Sequence, residues 1–271
     1  MNVLVCDTSS QALTVGLFTD GFKEVRTIGG RTVQHSERLV PTVVELCGDA
    51  GLDTKDIDLL VCTRGPGSFT GLRIGMAAFK GMAFALGKPM VSVSTLEAYA
   101  SCVGAFDGAI VPVIDAKKKR WYLAAFETRP TASQSGASWS GTSQPNASKS
   151  GVSQSGAVQS DVEGGLSRIV PDTDGTEVDL AEALAPYERI LVTGPDAMAF
   201  KEVLSMAEPF KDKSIFVNTK ANEAIATALY ELGTKQFEEK GPDDVGQGPV
   251  YLRKSDAEIA LDEKLAKETG R

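Results

Sequence analysis

VLVCDTSSQALTVGLF, residues 3–18, decides how the rest of this chain is read. The apolar run Val3–Cys6 breaks at Asp7-Thr8-Ser9-Ser10, and a second run, Leu13–Phe18, follows before Asp20-Gly21. Short apolar runs separated by Asp, Ser and Gly clusters read as strands joined by tight turns. A weaker run, Glu24–Ile28, ends at Gly29-Gly30 and completes an antiparallel meander.

Working outward, a helix is expected from Ser36, a candidate N-cap with acidic Glu37 in the first turn. Leu39, Val43, Leu46 and Ala50 recur at helical spacing, and Val40, Val44 and Cys47 widen the stripe, up to Gly48 and Gly51. Pro41 removes a backbone donor and predicts a kink. Leu59–Cys62 reads as a buried strand, Gly71–Leu86 as a helix stopped by Gly87 and Pro89, and Met90–Val93 as a strand before a helix opened by Thr95. The order then starts again. Ala109–Ile114 also ends in an aspartate, Asp115, and Trp121–Phe126 and Leu166–Val170 are its next strands. A helix at Asp179–Leu184, a strand at Ile190–Val192, a helix from Pro195, a strand at Ile215–Val217 and a helix at Ala221–Glu239 follow. Such a duplicated order is the ribonuclease-H-like layout of the acetate kinase, sugar kinase, Hsp70 and actin superfamily. The expected fold class is α/β with two such lobes, residues 1–106 and 107–253, and a charged tail, 254–271.

Composition narrows the function. The chain has 271 residues and a net charge of −8. An acidic protein is poorly suited to grip a polyanion by itself, because that takes Lys and Arg against phosphates. Cys6, Cys47, Cys62 and Cys102 form no C-x-x-C pair and read as reduced core residues. There is one histidine, His35. A zinc site usually takes two or three His ligands, and no G-x-S-x-G elbow presents a serine nucleophile. No apolar run is long enough for a membrane span, and MNVLVCDTSS lacks the basic start of a signal peptide, so the expected location is cytoplasmic. Residues 131–160 are three Ser-rich tens, each with Ser-Gln at its third and fourth places. Such a segment has too little apolar area to offset its ordering entropy and reads as a disordered surface insertion.

Three stretches are candidate sites. Asp7-Thr8-Ser9 follows a buried strand, where a superfamily member would cradle a nucleotide phosphate; from the tripeptide alone an Asx or ST turn closing a hairpin is the preferred reading. Lys117-Lys118-Lys119-Arg120 reads as a phosphate or RNA contact or as a solvated hairpin tip. Arg64-Gly65-Pro66-Gly67-Ser68-Phe69-Thr70-Gly71 lies between a strand and a helix, as phosphate loops do. It lacks the P-loop lysine, since Leu72 follows Gly71. Its helix holds Gly71, Gly75 and Gly81, each costing about 1 kcal/mol relative to Ala. Close approach of another backbone along Gly71, Gly75, Ala78 and Ala85 is the expected offset. Leu72, Met76, Phe79 and Leu86 form a neighbouring apolar strip, so the helix is either wholly buried or half offered to a partner.

VLVCDTSS, HSERLVPTV, RGPGSFTGLRIGMAAFKGMAFALGKP, VIDAKKKRWYLAAF and PVYLR together resemble the TsaB (YeaZ) family. The resemblance covers nearly the whole chain except residues 131–160 and the tail. It implies a non-enzymatic dimerisation subunit for threonylcarbamoyladenosine formation in tRNA. The partner TsaD performs the transfer, the ATPase TsaE joins the complex, and tRNA is met only indirectly. It implies a TsaD heterodimer, with a homodimer through the same face when TsaD is absent. The docking residues it implies are Ser36, Leu39, Val40, Val43, Leu72, Gly75, Met76 and Phe79, and replacing Gly75 with Leu is expected to abolish docking in a folded monomer. It implies no cofactor of the chain's own, with ATP or ADP a candidate at the complex interface; Asp7, Thr8, Ser9, Gly65 and Gly67 are the candidate nucleotide contacts. A nucleotide-dependent ATPase or phosphotransferase and a peptidase are the alternatives. Deleting residues 131–160 is expected to leave the melting temperature and partner binding nearly unchanged, as thermal denaturation and co-purification would show; a large loss of either would give the insertion a role.

Overall fold

A computed structural model describes residues 1–30, 34–128 and 165–253. The insertion 131–160 and the tail 254–271 lie outside the described residues. The first sheet contains β1 (Val3–Asp7), β2 (Leu13–Phe18), β3 (Lys23–Ile28), β4 (Leu59–Gly65) and β5 (Met90–Ser94), in the order β3-β2-β1-β4-β5. The meander pairs antiparallel, and β1, β4 and β5 pair parallel. The second sheet repeats this with β6 (Ala109–Lys117), β7 (Arg120–Thr128), β8 (Leu166–Gly175), β9 (Arg189–Thr193) and β10 (Ser214–Val217), in the order β10-β9-β6-β7-β8. The duplication expected from the sequence is therefore present, and the fold is two ribonuclease-H-like sheets.

The strands alternate between two apolar faces. Val3 and Val5 of β1 enter one core, while Leu4 and Cys6 enter another. In β4, Leu59 and Val61 oppose Leu60 and Cys62 in the same way. Successive side chains of a strand point to opposite faces, and strands buried on both faces read as continuous apolar runs. On one face of the first sheet lie α1 (His35–Asp49) and α2 (Phe69–Leu86). On the other lie α3 (Thr95–Ser101) and α6 (Ala221–Lys240). The second sheet carries α4 (Ala181–Leu184) and α5 (Ala197–Met206) outside, around Phe200, Leu204 and Phe210. Its inner face, with Ile110, Ile114 and Phe126, shares one core with the first sheet, α3 and α6. The expected division at residue 107 puts α6 in the second lobe, whereas α6 packs on β1, β2, β4 and β5 of the first. No described helix is long and apolar enough to cross a membrane.

Several local expectations are corrected. The first helix begins at His35, and Gln34, with extended backbone (φ −90°, ψ 96°), is its N-cap, so Ser36 lies in the first turn. Pro41 lies inside the helix as expected, while Gly48 also stays inside it, and the left-handed turn that follows is taken by Gly51 at φ +68°. Val40 and Val44 do not widen the buried stripe; they are 48% and 55% exposed. The second helix starts at Phe69, earlier than expected, because the Ser68 hydroxyl caps it by accepting from Gly71 N at 3.2 Å. Gly87, in the left-handed conformation at φ +65°, ends it.

Helix α6 owes its seat to Gly233. A Cβ there would come within 2.5 Å of a Val61 methyl on β4. Gly233→Val is expected to lower stability by about 1–3 kcal/mol through overpacking. Urea unfolding of the full chain measures this, and an unchanged midpoint would rule out such a tight seat.

Candidate functional site

The glycine-rich turn between β4 and α2 is filled by the chain itself. Gly65 sits at φ +112°, and a Cβ there would lie 2.6 Å from the Val250 carbonyl oxygen. Val250 N in turn donates to Arg64 O at 2.7 Å. On the opposite side, a Cβ at Gly67 would lie 2.5 Å from Ser9 O, which accepts from Ser68 N at 2.7 Å. One turn into α2, a Cβ at Gly71 would strike the Thr8 carbonyl, and one at Gly75 would strike Thr8 Oγ1. The glycines in the first turns of α2 thus admit the β1–β2 turn. Close approach is the reason for these two, of the Thr8 backbone at Gly71 and of the Thr8 side chain at Gly75, both from this chain, whereas at Gly81 nothing lies within 4 Å.

Asp7, Thr8 and Ser9 are buried beneath this contact. Asp7 is 1% exposed. Its Oδ1 accepts from Ser9 N and from Thr63 Oγ1, each at 2.9 Å, and its Oδ2 accepts from Tyr99 OH at 3.3 Å. Burial pushes the Asp7 carboxyl above its ordinary range, and the hydrogen bonds from Ser9, Thr63 and Tyr99 pull the other way. The structure brings the candidate nucleotide contacts Asp7, Thr8, Ser9, Gly65 and Gly67 together, with the Asp7 carboxylate and the Gly65 and Gly67 flanks engaged by the chain's own groups.

A cleft of about 1150 Å³ opens beside them, with Ser9, Gln11 and Gly67 on the first lobe and Asp115, Lys117 and Asn222 facing them. Lys117 Nζ donates to Asp115 Oδ2 at 2.6 Å, and Arg120 Nε to Asp174 Oδ1 at 2.8 Å. Lys117, Lys118 and Lys119 all adopt left-handed backbone, φ +64°, +56° and +62°, so this hairpin tip curls tightly. Lys117 and Arg120 are thus already matched by carboxylates. His35 lines the same cleft. Among the described residues, no three His, Cys, Asp or Glu side chains cluster as ligands for one metal ion.

The docking residues need correction. Leu39, Val43, Leu72, Gly75, Met76 and Phe79 are all buried within this chain, most of them in the core between α1, α2 and the first sheet. Leucine at Gly75 would strike Thr8, so that variant damages the monomer's own fold. Of the expected contacts, Ser36 and Val40 face solvent. The open apolar surface lies further round the same helices. Exposed apolar or small residues there are Val40 and Val44 on α1 and Ala77, Gly81, Phe84 and Ala85 on α2. Phe84 is 91% exposed. The clue in the sequence is that α2 carries apolar or small residues all round, more than one sheet face can cover.

Comparison with known proteins is consistent with this architecture. The family described as "TsaD: tRNA N6-adenosine threonylcarbamoyltransferase" matches residues 31–261. The chain is 28% identical to the tRNA threonylcarbamoyladenosine biosynthesis protein TsaB of Bacillus subtilis over 259 residues, 95% of this chain and 96% of that protein. With TsaB of Escherichia coli it is 34% identical over 133 residues, 47% of this chain and 55% of that protein. The solved structure of YeaZ from Pseudomonas aeruginosa superimposes with a TM-score of 0.62 at 21% identity, covering 93% of this chain and 99% of that one, which establishes likeness of fold.

Asp7 generates a pH test. The native chain holds the Asp7 proton more tightly than the unfolded chain, whose carboxyl titrates near 3.8. The associated stability is complete below that pH and is lost as pH rises through the raised native value. Asp7→Asn keeps an acceptor oxygen for Ser9 and Thr63 and removes the titration. Its melting temperature should therefore fall less than that of the wild type as pH is raised from about 4 to 7. Parallel curves would exclude a raised Asp7.

Proposed function

The chain belongs to the TsaD family of tRNA N6-adenosine threonylcarbamoyltransferases, and within it to the TsaB/YeaZ proteins, and from that premise we propose that it is a non-catalytic docking subunit in the biosynthesis of threonylcarbamoyladenosine in tRNA. The observation that carries the docking role is the apolar face left open on α1 and α2. Exposed large apolar side chains that gather into a patch mark interaction sites. Phe84 projects from a helix whose opposite side is seated on Thr8 and on the first sheet, so the patch is presented on a rigid element.

The partner in this reading is a TsaD subunit, which performs the transfer, with the ATPase TsaE joining the pair. In the absence of TsaD the same face pairs two copies of the chain. A non-catalytic role is supported by the state of the turns that a superfamily enzyme would use: Asp7 is spent on internal hydrogen bonds, and Ser68 N is spent on Ser9 O. The chain's net charge of −8 leaves the grip on tRNA to the partner.

Phe84→Asp tests the reading. The side chain is almost wholly in water, so the melting temperature should not change. Binding to the TsaD subunit should weaken by about thirtyfold or more, the effect of losing a hot-spot aromatic. Nucleosides from tRNA of cells carrying only this variant should contain little of the modified base. Wild-type affinity would overturn the docking face.

A further inference from the structure

The segment after α6 turns back over the first lobe. Asp243 N donates to Met90 O at 2.9 Å on the edge of β5, and the Asp243 carboxylate accepts from Ser92 N at 2.8 Å and Ser92 Oγ at 2.5 Å. The Lys80 ammonium, on α2, donates to the Val245 carbonyl at 2.7 Å and to the Gln247 carbonyl. Further on, the Tyr251 ring lies 4.6 Å from that of Phe69, and its hydroxyl accepts from Arg73 Nε at 2.9 Å. Residues 243–251 therefore run back along α2 as a strap, from Lys80 towards the helix start.

A segment that only braced the helix would turn its apolar side chains inward. Val245 does the opposite and is 89% exposed. Its carbonyl is held by Lys80, one helical turn before Phe84, and Arg73, Lys80 and Phe84 share one line of α2 at helical spacing. Phe84 and Val245 are the two most exposed large apolar side chains among the described residues. Size argues in the same direction. A stable interface takes about 800 Å² and roughly 20–30 residues a side, well beyond the outward positions of one helix pair.

We propose that the strap, residues 243–251, is the third element of the docking face, with Val245 an apolar anchor beside Phe84 for the same TsaD-type partner. Lys80 is a positioning residue, which fixes the strap through its two carbonyl bonds. The inference rests on the docking reading above.

The test compares full-length variants for affinity to the purified TsaD subunit, melting temperature and amide exchange. Val245→Asp should weaken binding about tenfold or more at unchanged melting temperature. Lys80→Met should speed exchange of the Val250 amide and weaken binding, and Lys80→Arg should restore both. Wild-type binding by Val245→Asp together with loss in Phe84→Asp overturns the strap and leaves the helical face standing. Wild-type binding by both overturns the docking reading and the strap with it. Faster exchange in Lys80→Met without weaker binding removes the positioning role.

Discussion

The contact between the β1–β2 turn and the flank of α2 organises much else in this chain. The Ser9 carbonyl sits against Gly67, and Thr8 packs with its carbonyl against Gly71 and its hydroxyl against Gly75. Only residues without a Cβ admit a backbone at that distance. The helical glycines cost about 1 kcal/mol each in propensity. The return is the seating of an eighteen-residue helix directly on the turn that ends the central strand.

Two consequences follow from that seating. Asp7 is withdrawn under the turn, where Ser9, Thr63 and Tyr99 satisfy it, and Tyr99 OH also lies 3.2 Å from Asn222 Oδ1 at the start of α6. Asp7 thereby ties the first sheet to the helices between the sheets. The rotation of α2 is also set. With Gly71 and Gly75 turned to Thr8, and Leu72, Met76 and Phe79 turned inward, Ala77, Gly81, Phe84 and Ala85 are left facing solvent. The open apolar face is thus the geometrical complement of the glycine contact.

The strap completes the same economy. Gly65 needs its positive φ and bare flank because Val250 lies against it, and Lys80 and Tyr251 join the strap to α2. The glycine-rich turn is therefore flanked by two segments distant in sequence, the residues after β1 and the residues after α6, and borders the cleft at Gly67. This loop between a strand and a helix acts as an internal joint.

Much of this was legible in the amino-acid order. The two meanders, each opened by a strand ending in or near an aspartate, are visible because a strand buried on both faces must be apolar at consecutive positions, as in Val3–Cys6 and Ala109–Ile114. Gly71 and Gly75 announced a close approach, while Gly81, equally costly, meets nothing within 4 Å. What the order did not determine was which body approaches and which side of α2 remains open. Leu72 and Phe79 are as apolar as Phe84, and periodicity along one helix carries no label for the surface that covers each side. That assignment depends on where Thr8, α1, the sheet and the strap lie around the helix. Those contacts join residues as far apart as Arg73 and Tyr251, and only the folded chain brings them together.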